Sequence, residues 1–266
     1  MPILNVYKSK SLTPLQTINL LREKFPEYKN ETIGFAGRLD PLAHGVLLLM
    51  VGEETTKQKD KYLNLPKEYE FEAVFGVGTD TYDALGLINV IANEVKQAPR
   101  NDKKLKTEIE TFIKSKLGKQ IQTYPPYSSK PVNGKPLFMW AKEKKLDAIE
   151  IPKREIEIYD FELIEIQTIS AANLENEIMK QIESVEGDFR QEQIKTTWKT
   201  FFANSQKLKT NNKFLTARFK ISCSSGTYIR SLIHELGNWT GMEAIALEIL
   251  RTKVGPYHVN DSLQFT

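Results

Sequence analysis

One carboxylate stands out by its surroundings. Asp40 is the only acid in Gly34-Phe35-Ala36-Gly37-Arg38-Leu39-Asp40-Pro41-Leu42-Ala43-His44-Gly45, which runs into the apolar segment Val46 to Val51. Glycine reaches backbone angles that other residues resist, and proline fixes its own φ and disfavours helix at the residue before it. The stretch therefore reads as a shaped loop ahead of a buried strand, and a carboxylate held rigidly in such a loop suits catalysis. An ordinary turn opened by Asp-Pro is the plain alternative.

Other residues have types that could serve chemistry. Tyr69 opens the apolar face of an alternating segment, where most tyrosines are core residues with a hydroxyl at the rim. Asp80 and Asp83, in Thr79-Asp80-Thr81-Tyr82-Asp83-Ala84-Leu85-Gly86, could bind a metal, but side-chain-to-backbone turn bonds explain them more simply. Tyr228 and Arg230 fall in the first turn of a helix. An arginine there opposes the helix dipole, which invites an acidic partner; a surface arginine is the alternative. Lys8 and Lys10 are either phosphate contacts or solvated loop lysines. The prolines, aromatics and lysines between Tyr124 and Lys145 could line a nucleic-acid channel or form a connecting loop.

The composition bounds these options. The chain has 266 residues, 40% hydrophobic and 27% charged, with a formal net charge of +3 and a pI near 8.7. That balance is mildly basic and suits a polyanionic partner without requiring one. Cys223 is the only cysteine, so no internal disulfide can form. Three scattered histidines offer no zinc spacing. No apolar run approaches the roughly 20 residues of a membrane helix, and no signal peptide is evident. A cytoplasmic, reducing setting with no membrane and no metal is expected, with a monomer as the default.

The elements that must position these residues follow from periodicity. Ile3 to Tyr7 is a short strand, and Thr13-Pro14 opens a helix with Thr13 as N-cap. Lys67 to Val77 alternates strictly, with Tyr69, Phe71, Ala73, Phe75 and Val77 on one face, as a half-buried antiparallel strand does. A second strand is expected near Leu87 to Ile91, a helix over Lys103 to Leu117, and a helix from Pro136 through Lys145. Arg154 to Ile166 alternates until Tyr159-Asp160, where the parity blurs, as it does at a bulge or where a strand is more buried at its far end. Ser170 to Lys213 reads as two helices joined near Glu186-Gly187-Asp188, an appendage inserted into one domain. Leu215 to Cys223 is a strand, Thr227 caps a helix ended by Gly237, and Ala244 to Arg251 is a last strand. Strands separated by helices, mostly antiparallel, give an α+β fold with one large sheet.

On this framework the special stretches resemble, in order, the motifs of the TruB family of tRNA pseudouridine synthases. Gly34 to Leu47 resembles the family's Gly-His-x-Gly-x-Leu-Asp-Pro-x-Ala-Thr-Gly. Lys67-Glu68-Tyr69 resembles its Lys-x-Tyr, and Thr79 to Gly86 its Thr-Asp-Thr-x-Asp-x-x-Gly. Pro125-Pro126-Tyr127-Ser128-Ser129-Lys130 with Gly134 is similar to its proline loop. Ser225-Gly226-Thr227-Tyr228-Ile229-Arg230 is similar to its Gly-Thr-Tyr-Ile-Arg motif, and Leu250-Arg251-Thr252 to its Leu-Arg end. The resemblance covers roughly 1–166 and 214–256.

The resemblance implies a pseudouridine-synthase-like mixed, mainly antiparallel sheet flanked by helices, in one catalytic domain over 1–266 with a helical insertion at about 170–213. It implies isomerisation of a uridine in the TΨC arm of tRNA, with cleavage of the N1–C1′ bond and rejoining through C5. No cofactor is needed, because the detached uracil is its own nucleophile. Asp40 would be the catalytic carboxylate, acting either as a nucleophile or as a base at the ribose. Arg230 would pair with it and keep it charged, Tyr69 would stack on the base, and Tyr228 and Leu250 would complete an apolar wall. Lysines along 103–119 and 130–145 would hold the tRNA arm. Phe35 stands where the family has a histidine that stabilises the opened RNA loop; it can stack but cannot donate a hydrogen bond. His44 stands at a usual threonine, and no PUA RNA-binding domain is expected after Thr266. A tRNA-folding module without chemistry, or a related synthase acting on another RNA, are the alternatives.

Overall fold

The structure is a computed structural model and describes residues 3–90, 102–207 and 213–265. Its main elements are β1 (Ile3–Lys8), α1 (Pro14–Lys24), β2 (Ile33–Ala36), β3 (His44–Val51), β4 (Lys67–Phe75), α2 (Asp102–Lys116), β5 (Gly118–Thr123), α3 (Leu137–Lys142), β6 (Lys153–Ser170), α4 (Ala171–Ser184), α5 (Gln191–Lys207), β7 (Lys213–Cys223), α6 (Ile229–Thr240), β8 (Ala244–Val254) and β9 (Tyr257–His258). Among the described residues, nine strands form one sheet. Its order is β1-β3-β8-β4-β7-β6-β5, with β2 also against β3 and β9 against β8. All pairings are antiparallel except the short β3–β8 contact, Leu250 beside His44 and Arg251 beside Gly45. The expected α+β class is the observed one.

Local chemistry explains the elements. Thr13 Oγ1 accepts from the Gln16 N–H at 3.2 Å, and Gln16 Oε1 accepts from the Thr13 N–H at 2.7 Å. This reciprocal capping box starts α1 just ahead of Pro14. β3 is buried along its whole length, as expected of a strand with the apolar run Val46 to Val51 covered on both faces. Val6, Leu47 and Leu49 pack with Ile18 and Leu21 of α1 on one side, while Val46, Leu48 and Met50 meet Ala36 and Val254 on the other.

The alternation of β4 sends Tyr69, Phe71, Ala73 and Phe75 into the largest core, where α2 and α6 cover the sheet. Phe71 and Phe219 stack there with centroids 5.0 Å apart. β6 pairs with β7 through register shifts between Ile158 and Asp160 and between Leu163 and Glu165, so the blurred parity is a pair of bulges.

Three expectations need correction. The helices α4 and α5 are not an appendage. Leu174, Ile178, Ile182, Ile194, Trp198 and Phe202 pack on Val74, Ile245, Leu247 and Phe214, so the pair is a covering layer of the sheet. Its many polar residues occupy the outer face of an amphipathic pair. Helix α6 does not stop at Gly237 but runs to Thr240, with Gly241 as the left-handed C-cap at φ +63°. Gly237 instead lets β8 pass close by, since a Cβ there would lie 2.3 Å from the Ala244 nitrogen. Thr227 does not cap α6; its hydroxyl donates to Ser224 O at 3.0 Å, and Tyr228 holds the N-cap position without a side-chain cap bond. The strand near residue 88 is Ile88–Val90, paired with Gly78–Thr79 outside the main sheet; its expected end at Ile91 lies outside the described residues.

Candidate active site

Asp40 lies in the loop between β2 and β3, and the fold fixes that loop from three sides. Lys8, at the end of β1, is fully buried, and its ammonium donates to Ala43 O at 2.6 Å, Ser9 O at 3.0 Å and Pro41 O at 3.2 Å. It is neither a phosphate contact nor a solvated lysine: it clips the loop. Arg251 of β8 is also buried, and its guanidinium donates to Val46 O at 2.7 Å and Gly37 O at 3.0 Å. Gly45, at φ +103°, permits the approach of β3 to β8, because a Cβ there would lie 2.3 Å from Arg251 O. At the loop's far end His44 bridges the Tyr7 hydroxyl (Nδ1, 2.6 Å) and Glu248 (Nε2 to Oε1, 3.1 Å), and Lys10 pairs with Glu248 at 2.8 Å. The hydrogen bond with His44, together with Lys10, holds the Glu248 carboxyl at about 2.

The acidic partner that Arg230 invites is Asp40 itself. From the first turn of α6, Arg230 Nε donates to Asp40 Oδ2 at 2.7 Å, and Asp83 Oδ2 lies 3.6 Å away. Its terminal nitrogens donate to Thr81 O at 2.5 Å and Tyr127 O at 3.2 Å. Burial opposes charge on Arg230, but Asp40 and Asp83 more than offset it, and its pKa is raised. Asp83 is pushed up by burial, against the pull of Arg230 and Thr81. Its Oδ1 accepts from the Thr81 hydroxyl at 2.6 Å and the Leu85 N–H at 3.0 Å. Asp80 accepts the Leu87 N–H at 2.8 Å, so both aspartates make the expected turn bonds. No group of residues able to hold a metal is found among the described residues.

Two cavities meet at the Asp40–Arg230 pair. One, of about 260 Å³, is walled by Tyr69, Tyr228 and Ile249, with Lys67, Arg154 and Arg251 also on its lining. Among the described lining residues, Asp40 is its only carboxylate. Burial pushes the Tyr228 hydroxyl up to about 12 and raises that of Tyr69, so both are neutral phenols. Burial also pulls Lys67 down to about 7, with Arg251 adding to the effect. The other cavity, of about 320 Å³, lies between the loop, the 80–86 turn, Tyr127 and the α4–α5 connection. A buried guanidinium pair beside one carboxylate and two aromatic rings is a place where a flat, phosphate-bearing ligand can stack while charge develops next to Asp40.

The structure thus brings Asp40, Arg230, Tyr69 and Tyr228 together. It leaves two expected residues elsewhere. Leu250 faces away from the cavity and packs on Gly45, while Ile249, one residue earlier in the alternating strand, supplies the wall. Phe35, on β2, packs beside the α1 core with the Arg38 guanidinium 5.4 Å from its ring, and lines neither cavity.

Sequence reasoning did not single out Arg251, Arg154, Ser128 or Gln122. Arg251 and Ser128 sit inside recognised motifs, which was their signal; Arg154 and Gln122 lie in ordinary strands and carried none. The Gln122 amide both donates to Tyr228 O at 3.1 Å and accepts from Tyr228 N–H at 2.8 Å, fixing the start of α6. The buried Ser128 hydroxyl, on the lining of both cavities, has no hydrogen-bond partner among the described residues.

Comparison with known proteins places this geometry. Residues 26–187 match the family described as "TruB family pseudouridylate synthase (N terminal domain)". The chain is 30% identical over 263 residues to "tRNA pseudouridine synthase B" of Clostridium tetani, covering 98% of this chain and 70% of that protein. It is 26% identical over 256 residues to the protein of the same name from Aquifex aeolicus, covering 96% and 69%. Among solved structures, a chain in "Crystal Structure of a Cbf5-Nop10-Gar1 Complex" superposes with a TM-score of 0.52 at 20% identity, over 96% of this chain. This chain spans about half of that one (49%), and the likeness is one of fold.

Proposed function

The chain belongs to the TruB family of pseudouridylate synthases, and from that premise we propose that it converts a uridine in the TΨC arm of tRNA to pseudouridine, with Asp40 as the carboxylate acting at the ribose. What carries this reading is the position of Asp40: the only carboxylate on the described lining of a cavity with two tyrosine rings, held by the buried Arg230 at 2.7 Å.

The chemistry fits the groups present. Cleaving N1–C1′ leaves positive character at C1′, and a fixed carboxylate stabilises it either by electrostatics or by bonding. The detached uracil must then turn and rejoin through C5 without leaving. Tyr69, Tyr228 and Ile249 supply flat, apolar walls for that turn, and the neutral phenols add no competing charge. Unstacking a base costs a few kcal/mol, and aromatic stacking returns about 1–3 kcal/mol per base, so the two rings offset much of the cost of flipping. Arg154 and Arg251 make the cavity cationic, which favours a nucleotide over a free base. We place the reaction in the cytoplasm with the protein as a monomer.

The test is Asp40→Asn with an unmodified tRNA transcript. Pseudouridine formation should fall below detection while tRNA affinity is retained. An Asp40→Asn protein that still forms pseudouridine would sink the assignment of Asp40. An unmodified TΨC arm after treatment with wild-type protein would sink the choice of substrate, and mapping the product RNA identifies any other target.

A further inference from the structure

Arg190 occupies an unusual place. It sits in the connection between α4 and α5 with a left-handed backbone, φ +63°, which non-glycine residues seldom adopt. Its side chain reaches across to two loops of the site. Nη1 and Nη2 donate to Asp80 Oδ2 and Oδ1 at 2.8 and 3.2 Å, a two-pronged pair. The central carbon of the same guanidinium lies over the Tyr127 ring, 4.5 Å from its centroid. The pair is largely shielded, with side-chain exposures of 16% and 26%.

Those two loops also hold Arg230. Thr81, one residue after Asp80, gives its carbonyl to Arg230 Nη1, and Tyr127 gives its carbonyl to Arg230 Nη2. Arg190 therefore ties together, from outside, the two main-chain acceptors that orient the guanidinium facing Asp40. The Tyr127 hydroxyl also hydrogen-bonds to the Asp80 side chain, so Arg190 closes a three-membered cluster that joins the 124–130 loop, which lies outside the main sheet, to the Asp80 turn.

We propose that Arg190 is a positioning residue for the reaction, supplied by the helical layer, which keeps Arg230 aimed at Asp40 by stapling Tyr127 to the Asp80 turn. The inference rests on the Asp40–Arg230 reading above. It gives the 170–213 helices a part in catalysis that does not require them to touch RNA. It also explains the residue type: lysine cannot pair with Asp80 in two prongs.

Single-turnover pseudouridine formation at saturating tRNA transcript, together with the tRNA Kd, tests it on the full chain. Arg190→Ala should slow the chemical step roughly ten- to a hundredfold, the scale of a small misplacement of reacting groups, with Kd within about twofold of wild type. Asp80→Asn should slow it comparably. The Arg190→Ala, Asp80→Asn double variant should be no slower than the slower single variant, because each change breaks the same staple. Arg190→Lys should recover only part of the loss. If Arg190→Ala does not yield folded protein, Arg190→Gln, planar but uncharged, carries the same expectation. An unchanged single-turnover rate, a loss found wholly in Kd, or multiplicative single effects would overturn the inference. Asp40→Asn in the same assay separates the two ideas: if it stays active, the parent reading fails whatever Arg190 does.

Discussion

Lys8 shows how a single side chain can hold a loop without touching a ligand. Three carbonyls take its donors, yet burial still pulls its pKa down to about 7, as burial does for Lys67. In an unfolded chain a lysine keeps its proton to about pH 10.4. Between about pH 7 and about 10 the unfolded state therefore binds more protons than the folded one, and stability rises with pH across that window. Below about pH 7 both states are charged and the cost of burying the charge is fully felt. Urea midpoints measured from pH 6.5 to 9.5 should rise for the wild type, and Lys8→Met should reduce that rise, leaving the part due to Lys67. Lys8→Met should also lower activity, since the carbonyls of Pro41 and Ala43 lose their donors; a variant with wild-type turnover and an unaltered pH slope would remove Lys8 from the loop's support. At this scale the sequence was only partly legible. Asp40, Tyr69, Tyr228 and Arg230 were readable because motif and residue type coincide. Lys8 was not, since a lysine followed by Ser-Lys-Ser looks solvated until the fold buries it.

Among the elements, the α4–α5 pair departs furthest from expectation. Its periodicity gave the helices and their joint, but periodicity tells only that one face is apolar, not what covers it. The covering is the sheet, and Trp198 is its anchor: fully buried, stacked on Phe202 at 5.7 Å, with its indole N–H donating to Ala84 O at 3.2 Å. Trp198→Ala should cost about 3–5 kcal/mol, the usual range for removing a large core aromatic, read as a shift in the urea unfolding midpoint. A loss under about 1 kcal/mol would mean that the pair is loosely attached after all. The same limit explains Leu250 and Ile249. A strand's alternation is legible, but which parity faces the cavity depends on register, and a one-residue slip exchanges the faces. The register shifts of β8 between Ala246 and Glu248 and between Arg251 and Lys253 hide that parity from the sequence.

Taken whole, the molecule is less openly cationic than its lysine-rich segments suggest. Lys104 and Lys106 lie near Glu108 and Glu110 at 3.9 and 3.8 Å, Lys116 pairs with Glu235, and Lys142 and Lys145 pair with Asp188 and Glu143 at 3.5 Å each. Exposed pairs of this kind are worth at most about 1 kcal/mol, so a phosphate can replace the carboxylate at small cost. Binding of tRNA should still weaken steeply with salt, with log K falling by about 0.7–0.9 per phosphate neutralised against log salt. Filter binding between 50 and 300 mM salt, on the order used for such slopes, gives the number of contacts directly. A flat response would remove the lysine-lined path from the account.

The strand order has a consequence for how the protein is made. β8 follows the other long strands of the sheet in chain order, yet lies between β3 and β4. Without it the sheet is two unjoined halves, with open edges along the apolar β3 and the alternating β4. Arg251, which braces the Asp40 loop, is absent too. A growing or stalled chain that stops short of Ala244 lacks the Arg251 brace and leaves the facing edges of β3 and β4 open to edge-to-edge pairing. The strand acts as a clasp, so that the brace on the Asp40 loop forms only when the two halves of the sheet are joined.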